Sequence, residues 1–272
     1  MSAMHSAVPT VDVPTLDLTS TSRTPFTRLL SVELRKTWDT RAGLWLLIST
    51  AVLTALVMII QLSVVLVQDL NVDYGDFMTS TSFSIALLLP VLGILLVTSE
   101  WSQRTAMVTF SLEPERRRVI LAKLVVGLVL AVAAVAIALV LGAICNAIYG
   151  AASGNGAEWD LGLLDIGGFW LLQSLGMLTG FALAALLLNS PAAIVVFMVY
   201  SFVLPGLFAL GAALMDWFEK IQPWIDFNYA QGPLVDASMS GEDWGHLVVS
   251  GIIWLVIPLA IGWLRVLRAE VK

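Results

Sequence analysis

The sequence predicts an all-α integral membrane protein: six transmembrane helices behind an N-terminal amphipathic interfacial helix, with the N and C termini cytoplasmic. Three observations carry this. Of 272 residues, 58% are hydrophobic and 12% charged, against about 45–50% and about 25% in soluble domains; a soluble fold covers its surface with charge, and this chain has too little. Six uncharged stretches reach or approach the roughly 20 residues that cross a bilayer. The lysines and arginines collect in alternate loops.

The elements follow in order. Residues 1–24 hold no apolar run and carry Asp12, Asp17 and many Ser and Thr. They lack the basic start and apolar middle of a signal peptide and predict a disordered cytoplasmic tail. In 25–42, Phe26, Leu30, Leu34 and Trp38 recur every fourth residue, while Arg28, Arg35, Lys36 and Arg41 take other faces. That is a basic amphipathic helix for the inner leaflet, either an anchor or a coupling element. Spans are expected at about 44–67, 78–98, 124–149, 166–188, 191–215 and 246–264. The whole of 25–272 forms one transmembrane domain.

Orientation follows from charge. Of the 14 basic residues, all but Lys220 precede span 1, join spans 2 and 3, or follow span 6. Those segments are cytoplasmic by the positive-inside rule. The opposite loops carry Asp69, Asp73, Asp76, Glu158, Asp160, Asp165, Asp216, Glu219, Asp226, Asp236, Glu242 and Asp243. The net charge of −6 therefore reflects the outer loops and implies neither a basic partner nor nucleic acid. Tryptophans agree: Trp45, Trp101 and Trp263 fall near the inner interface, Trp159, Trp170, Trp217 and Trp244 near the outer one. Trp254 falls mid-span, where it packs.

Three details refine the connections. Between spans 2 and 3, Trp101, Thr105, Val108 and Leu112 fall on one face of a short helix, and Pro114 suits the first turn of the next. Between spans 4 and 5, Asn189 ends one helix, Ser190 caps the next and Pro191 takes its first position, giving a tight hairpin. Between spans 5 and 6, Trp217, Ile221, Trp224 and Ile225 make a stripe that ends near Pro223; an outer interfacial cap is the expectation, a re-entrant segment the alternative. Gly176, Gly180 and Ala184 form a seam for close packing of span 4, and Pro205 predicts a kink in span 5.

The absent chemistry bounds function. There is no HExxH, no carboxylate pair inside the spans, one cysteine and two histidines, and so no metal site or catalytic constellation is expected. No GxxxxGK[ST] loop is present. Uphill movement of a solute would draw its energy from another polypeptide. The polar residues within spans are neutral: Thr54, Gln61, Ser82, Ser84, Asn146, Gln173, Ser174, Thr179, Tyr200 and Ser201. Such a lining suits an amphipathic or hydrophobic solute. Phe197, Ser201, Leu204 and Phe208 share one face of span 5, which either lines a pathway or packs.

In order along 25–270, four features carry a family resemblance: Ser31-Val32-Glu33-Leu34-Arg35-Lys36 through Arg41 leading into span 1; Thr98-Ser99-Glu100-Trp101, then Arg104-Thr105 and Glu113 to Arg118; Leu121-Ala122-Lys123-Leu124 entering span 3; and six spans with a long segment before the last. The chain resembles the permease subunit of ABC exporters of the ABC-2 type. It departs at Arg104, where the family commonly has glycine.

The resemblance implies a plasma-membrane exporter subunit that is not itself an enzyme. It implies a second copy or paralogue, and a separate ATP-binding subunit on the cytoplasmic face that holds the ATP and magnesium. It places the subunit contact at Glu33 and Arg35 of the entry helix, and at Glu100, Arg104, Val108, Leu112, Glu113, Arg116, Arg117 and Arg118. It runs the pathway between spans 2 and 5, with Ser84, Leu87, Phe197, Tyr200, Ser201, Leu204 and Phe208 as candidates. The cargo expected is a drug, antibiotic or lipid. A membrane anchor for a soluble partner would share the basic face; an intramembrane enzyme would need acid and base groups the spans lack.

Overall fold

The computed structural model describes residues 23–154 and 156–269. The tail expected over 1–24 lies outside them apart from its last two residues. Among the described residues six helices are long and apolar enough to cross a membrane, and they are spans 1 to 6 in order: Arg41–Gln68, Tyr74–Ser102, Arg116–Ser153, Leu163–Leu187, Ser190–Leu214 and Gly241–Arg268. The amphipathic entry helix is α1, Phe26–Asp39. Thr40 breaks it with an extended backbone and caps α2 (Arg41–Gln68, span 1), its Oγ1 accepting from Gly43 N at 3.2 Å. The elbow is tight: a Cβ on Gly43 would lie 2.0 Å from Thr37 O.

Spans 2 (α3, Tyr74–Ser102) and 4 (α6, Leu163–Leu187) form the centre, buried over more than half of their apolar windows, against a third or less elsewhere. The expected seam joins them. A Cβ on Gly180 would lie 2.4 Å from Pro90 O, and one on Gly93 would lie 2.7 Å from Met177 O. Gly176 faces the Pro90 ring and Ala184 is fully buried. Without a hydrophobic drive between helices in lipid, such backbone approach supplies the packing. Span 3 (α5, Arg116–Ser153) has 38 residues, about 57 Å at 1.5 Å per residue, and projects past a bilayer core.

Two helix starts shift by a residue or two from expectation. Leu188, at φ 52°, ends span 4; Asn189 caps α7 (Ser190–Met198), accepting from Ala192 N at 2.9 Å, and Pro191 is second in the helix. The asparagine wins the cap because its side chain reaches the free N–H groups while Leu188 makes the turn. Pro114 precedes the Glu115 cap of span 3 instead of entering its first turn.

Span 5 is divided. A π turn, Val199–Val203, separates α7 from α8 (Leu204–Leu214). Pro205 follows it: proline lacks an N–H and crowds the carbonyl four residues back, and the wider turn absorbs the displacement. Span 6 repeats this, with α11 (Gly241–Gly251), a π turn at Ile252–Val256, then Pro258 in α12 (Ile257–Arg268).

The segment expected as an interfacial cap, with a re-entrant segment as the alternative, packs back beside spans 5 and 6. It comprises α9 (Asp216–Ile225), α10 (Phe227–Ala230) and a 3-10 turn, Gly232–Leu234. Phe218 packs on Gly211 and Phe208, Trp224 stands on the His246 ring, and Phe227 stands over Gly251. Gly251 lies ten residues into span 6, about 15 Å from its start. The segment buries both kinds of side chain: Trp217, Ile221, Trp224 and Tyr229 are exposed, whereas Gln222, Asp226 and Gln231 are buried together with Phe227, Ala230 and Leu234. The irregular backbone of this segment finds partners within the protein. Trp254 Nε1 donates to Ile225 O at 2.7 Å, Gln231 Nε2 to Phe227 O at 2.8 Å, and Asp226 Oδ1 accepts from the N–H groups of Asn228 and Tyr229. Asp226 is thus an interior residue, not one of the loop acids.

Candidate functional site

The basic ends of the helices converge on a charged latch. Glu33 of α1, Glu100 of span 2 and Lys123 of span 3 are buried at 4%, 5% and 5% exposure. Lys123 Nζ donates to Glu33 Oε2 at 2.6 Å and to Glu100 Oε1 at 3.0 Å. Lys36 Nζ donates to Glu33 Oε1 at 2.6 Å and to Glu100 Oε1 at 2.7 Å. Two carboxylates and two ammoniums therefore close a neutral ring across three helices. Burial works against the Lys36 charge, but Glu33 and Glu100 outweigh it and hold its pKa above the usual 10.5. Every charge of the latch is paired, the condition under which its burial is tolerated.

The turn after span 2 hangs on the same latch. Thr105 N donates to Glu100 O at 2.9 Å, and Arg104 takes the left-handed conformation at φ 57°. This is the glycine position of a helix C-terminus. Arginine keeps the glycine geometry. Next comes α4, Ala106–Leu112. Its inner side holds Ala106, buried, and Phe110, which packs against Trp101 at 6.2 Å and under the Arg116 guanidinium at 4.9 Å. Its outer side presents Met107, Val108 at 60% and Leu112 at 79% exposure. The face expected from Trp101, Thr105, Val108 and Leu112 is thereby divided. Trp101 and Thr105 belong to the preceding helix end and turn, and that turn rotates Val108 and Leu112 outward.

Neighbouring side chains lock α4 against the bundle. Arg116 donates to the carbonyls of Val266, Leu267 and Ala269 at 3.1, 3.1 and 2.7 Å, closing the end of span 6. Arg118 pairs with buried Glu113 at 3.0 Å. Ser190 of the span 4–5 hairpin donates to Thr98 at 2.7 Å and lies 2.8 Å from the Ser102 hydroxyl.

The contact residues inferred from the resemblance thus divide by position. Glu33, Glu100 and Glu113 are buried in intramolecular pairs, and Arg116 and Arg118 hold the frame. Arg35 pairs with Asp39 at 2.8 Å on the surface. Arg104, Val108, Leu112 and Arg117 are exposed. Lys36 and Lys123 were missed as site residues. Lys123 falls in helical phase with Val119, Ile120 and Val126, all buried, and a lysine on an apolar helix face is a buried lysine.

The pathway candidates divide too. Ser84, Phe197 and Tyr200 are buried inside the chain; Leu87, Ser201, Leu204 and Phe208 are half-buried. Ser84 lies 3.0 Å from Thr54 Oγ1 and ties span 2 to span 1. The common face expected for Phe197, Ser201, Leu204 and Phe208 is broken by the π turn, which inserts an extra residue per turn. The exposed surface between spans 2 and 5 is instead marked by Phe83 and Phe202, whose rings lie 6.3 Å apart. Among the described residues no group of three or more His, Cys, Asp or Glu is placed to hold a metal ion.

Compared with protein-family models and with curated proteins, the chain matches none.

Proposed function

We propose that this chain is the permease subunit of an ABC exporter of the ABC-2 type. In this reading it works as a dimer in the cell membrane, carries an amphipathic or hydrophobic solute, and draws energy from a separate ATP-binding subunit seated on its basic end. That end, with both termini, is the cytoplasmic face. The observation that carries the reading is α4: a short helix with an apolar outer side, held on the basic end by the latch that joins α1, span 2 and span 3. A push on α4 reaches span 2 through Glu100 and Thr105 without passing through a flexible linker. Nucleotide binding in the partner subunit would act on the span arrangement along this route, provided the partner contacts α4 differently in its two states. The chain itself contributes no phosphate loop; ATP and magnesium belong to the partner.

A second reading, an anchor that recruits a soluble partner without transport, is favoured by one observation. Ser84, Phe197 and Tyr200 lie inside the single chain and line no open path. Co-purification tests the choice: Val108→Asp with Leu112→Asp should abolish capture of the ATP-binding subunit and leave membrane insertion intact. Substituting the exposed Phe83 and Phe202 should impair export in the permease reading and have no effect in the anchor reading.

A further inference from the structure

Three irregularities of the chain meet at one place. The π turn of span 5 carries Tyr200, the π turn of span 6 carries Trp254, and the turn between α9 and α10 carries Asp226. The Tyr200 and Trp254 rings lie 5.1 Å apart, and Asn228 Nδ2 reaches Tyr200 O at 3.4 Å. Asp226 is 2% exposed. Its Oδ1 accepts two backbone N–H bonds, while Oδ2 accepts from Gln222 Nε2 alone, at 3.3 Å. Among the described residues no lysine, arginine or histidine pairs with it; His246 of span 6 lies beside Glu242 and Asp243 instead. The Tyr200 hydroxyl is buried and has no hydrogen-bond partner among the described residues.

Capping of α10 explains only part of this. A cap needs an acceptor oxygen, and asparagine serves as well as aspartate. Capping leaves the charge, the single long bond of Oδ2 and the free Tyr200 hydroxyl without a reason. A carboxylate held among apolar helices without a counter-ion is expensive and marks a functional position, and π turns concentrate at such positions. A carboxylate next to two aromatic rings, here tilted 42° to one another with Trp254 Nε1 bonded to Ile225 O beside Asp226, is the chemistry that recognises an organic ammonium: the charge pairs with the carboxylate, the ring faces attract the cation, and the apolar body lies among the helices.

We propose that Asp226, Tyr200 and Trp254 form a binding site for the ammonium head of a cationic amphiphile. The ligand takes the place of the Gln222 bond and supplies the charge that Asp226 lacks. This deepens the permease reading by giving the cargo a sign of charge, and rests on that reading only in calling the ligand cargo.

The test is equilibrium binding of tritiated decyltrimethylammonium to the purified full chain in maltoside micelles. The expected result is saturable binding, displaced by unlabelled cation and not by the same concentration of decanol. Asp226→Asn, which keeps the cap, should weaken it roughly tenfold or more, and Tyr200→Leu roughly threefold. Asp226→Ser, which also caps, serves if the asparagine variant does not fold. Unsaturable binding, equal displacement by decanol, or undiminished affinity in the folded Asp226 variant would overturn the proposal. The ATP-binding subunit takes no part in this assay. A chain that binds the cation but never captures an ATPase loses the permease reading and keeps this site; the reverse result keeps the permease reading alone.

Discussion

Lys123 and Glu100 lie 3.0 Å apart, each 5% exposed, and join the start of span 3 to the end of span 2. Removing one member of such a buried set leaves a charge without its partner and costs about 3–5 kcal/mol. Lys123→Met should therefore destabilise the chain by about that amount in a denaturation series in mixed micelles. The double variant Lys123→Met, Glu100→Gln should recover part of the loss, because the uncompensated carboxylate is gone.

The Lys36 contribution to the latch should be insensitive to pH in the physiological range. Glu33 and Glu100 hold the Lys36 ammonium above its usual 10.5, so the folded state binds the Lys36 proton more tightly than the unfolded state. Its contribution is fully present below the unfolded value and is lost as pH rises through the folded one. Lys36 is 38% exposed at its side chain, so the contribution is modest. Thermal midpoints measured from pH 6 to 9 should show no fall traceable to Lys36. A fall should begin only above about pH 10.5, and should be absent in Lys36→Met.

Arg104 stands where only glycine is free of strain. A side chain at φ 57° costs about 1 kcal/mol relative to glycine. Arg104→Gly should stabilise the chain by roughly that amount in the same denaturation series, and Arg104→Val should destabilise it.

The depth of the segment after span 5 is open to chemical labelling. Cys145 is the sole cysteine and is buried, so single cysteines can be introduced cleanly after its replacement. In intact cells, Ser238→Cys should react with an impermeant maleimide, Ser111→Cys should react only after permeabilisation, and Phe227→Cys should stay unlabelled in both. Labelling of Phe227→Cys from outside would return the segment to the surface.

How much of this the sequence carried depends on the kind of interaction. Six spans, the entry helix, the span 4 seam and the grouping of basic ends follow from local composition and period. The positions of Leu188, Asn189 and Pro114 needed backbone geometry that propensities resolve only to a residue or two. The latch was half legible, because Lys123 sits in phase with buried residues, but its partners lie 90 and 23 residues away. For the segment from Asp216 to Leu234 the sequence left two placements open, since an apolar stripe looks the same whether lipid meets it at the surface or at depth. The donors at Trp254 and Gln231 that satisfy its backbone come from the fold and could not be read from the stripe.

The central claim is that α4 docks an ATP-binding subunit. The direct measurement is purification of the chain from native membranes in mild detergent, with co-purifying proteins identified and ATP hydrolysis assayed, for wild type and for the Val108→Asp, Leu112→Asp variant. The account predicts an ATP-binding subunit in equal amount with wild type, and loss of both subunit and hydrolysis in a variant that still inserts. A chain that emerges alone and inactive from several mild detergents, or a variant that keeps subunit and activity, would contradict it.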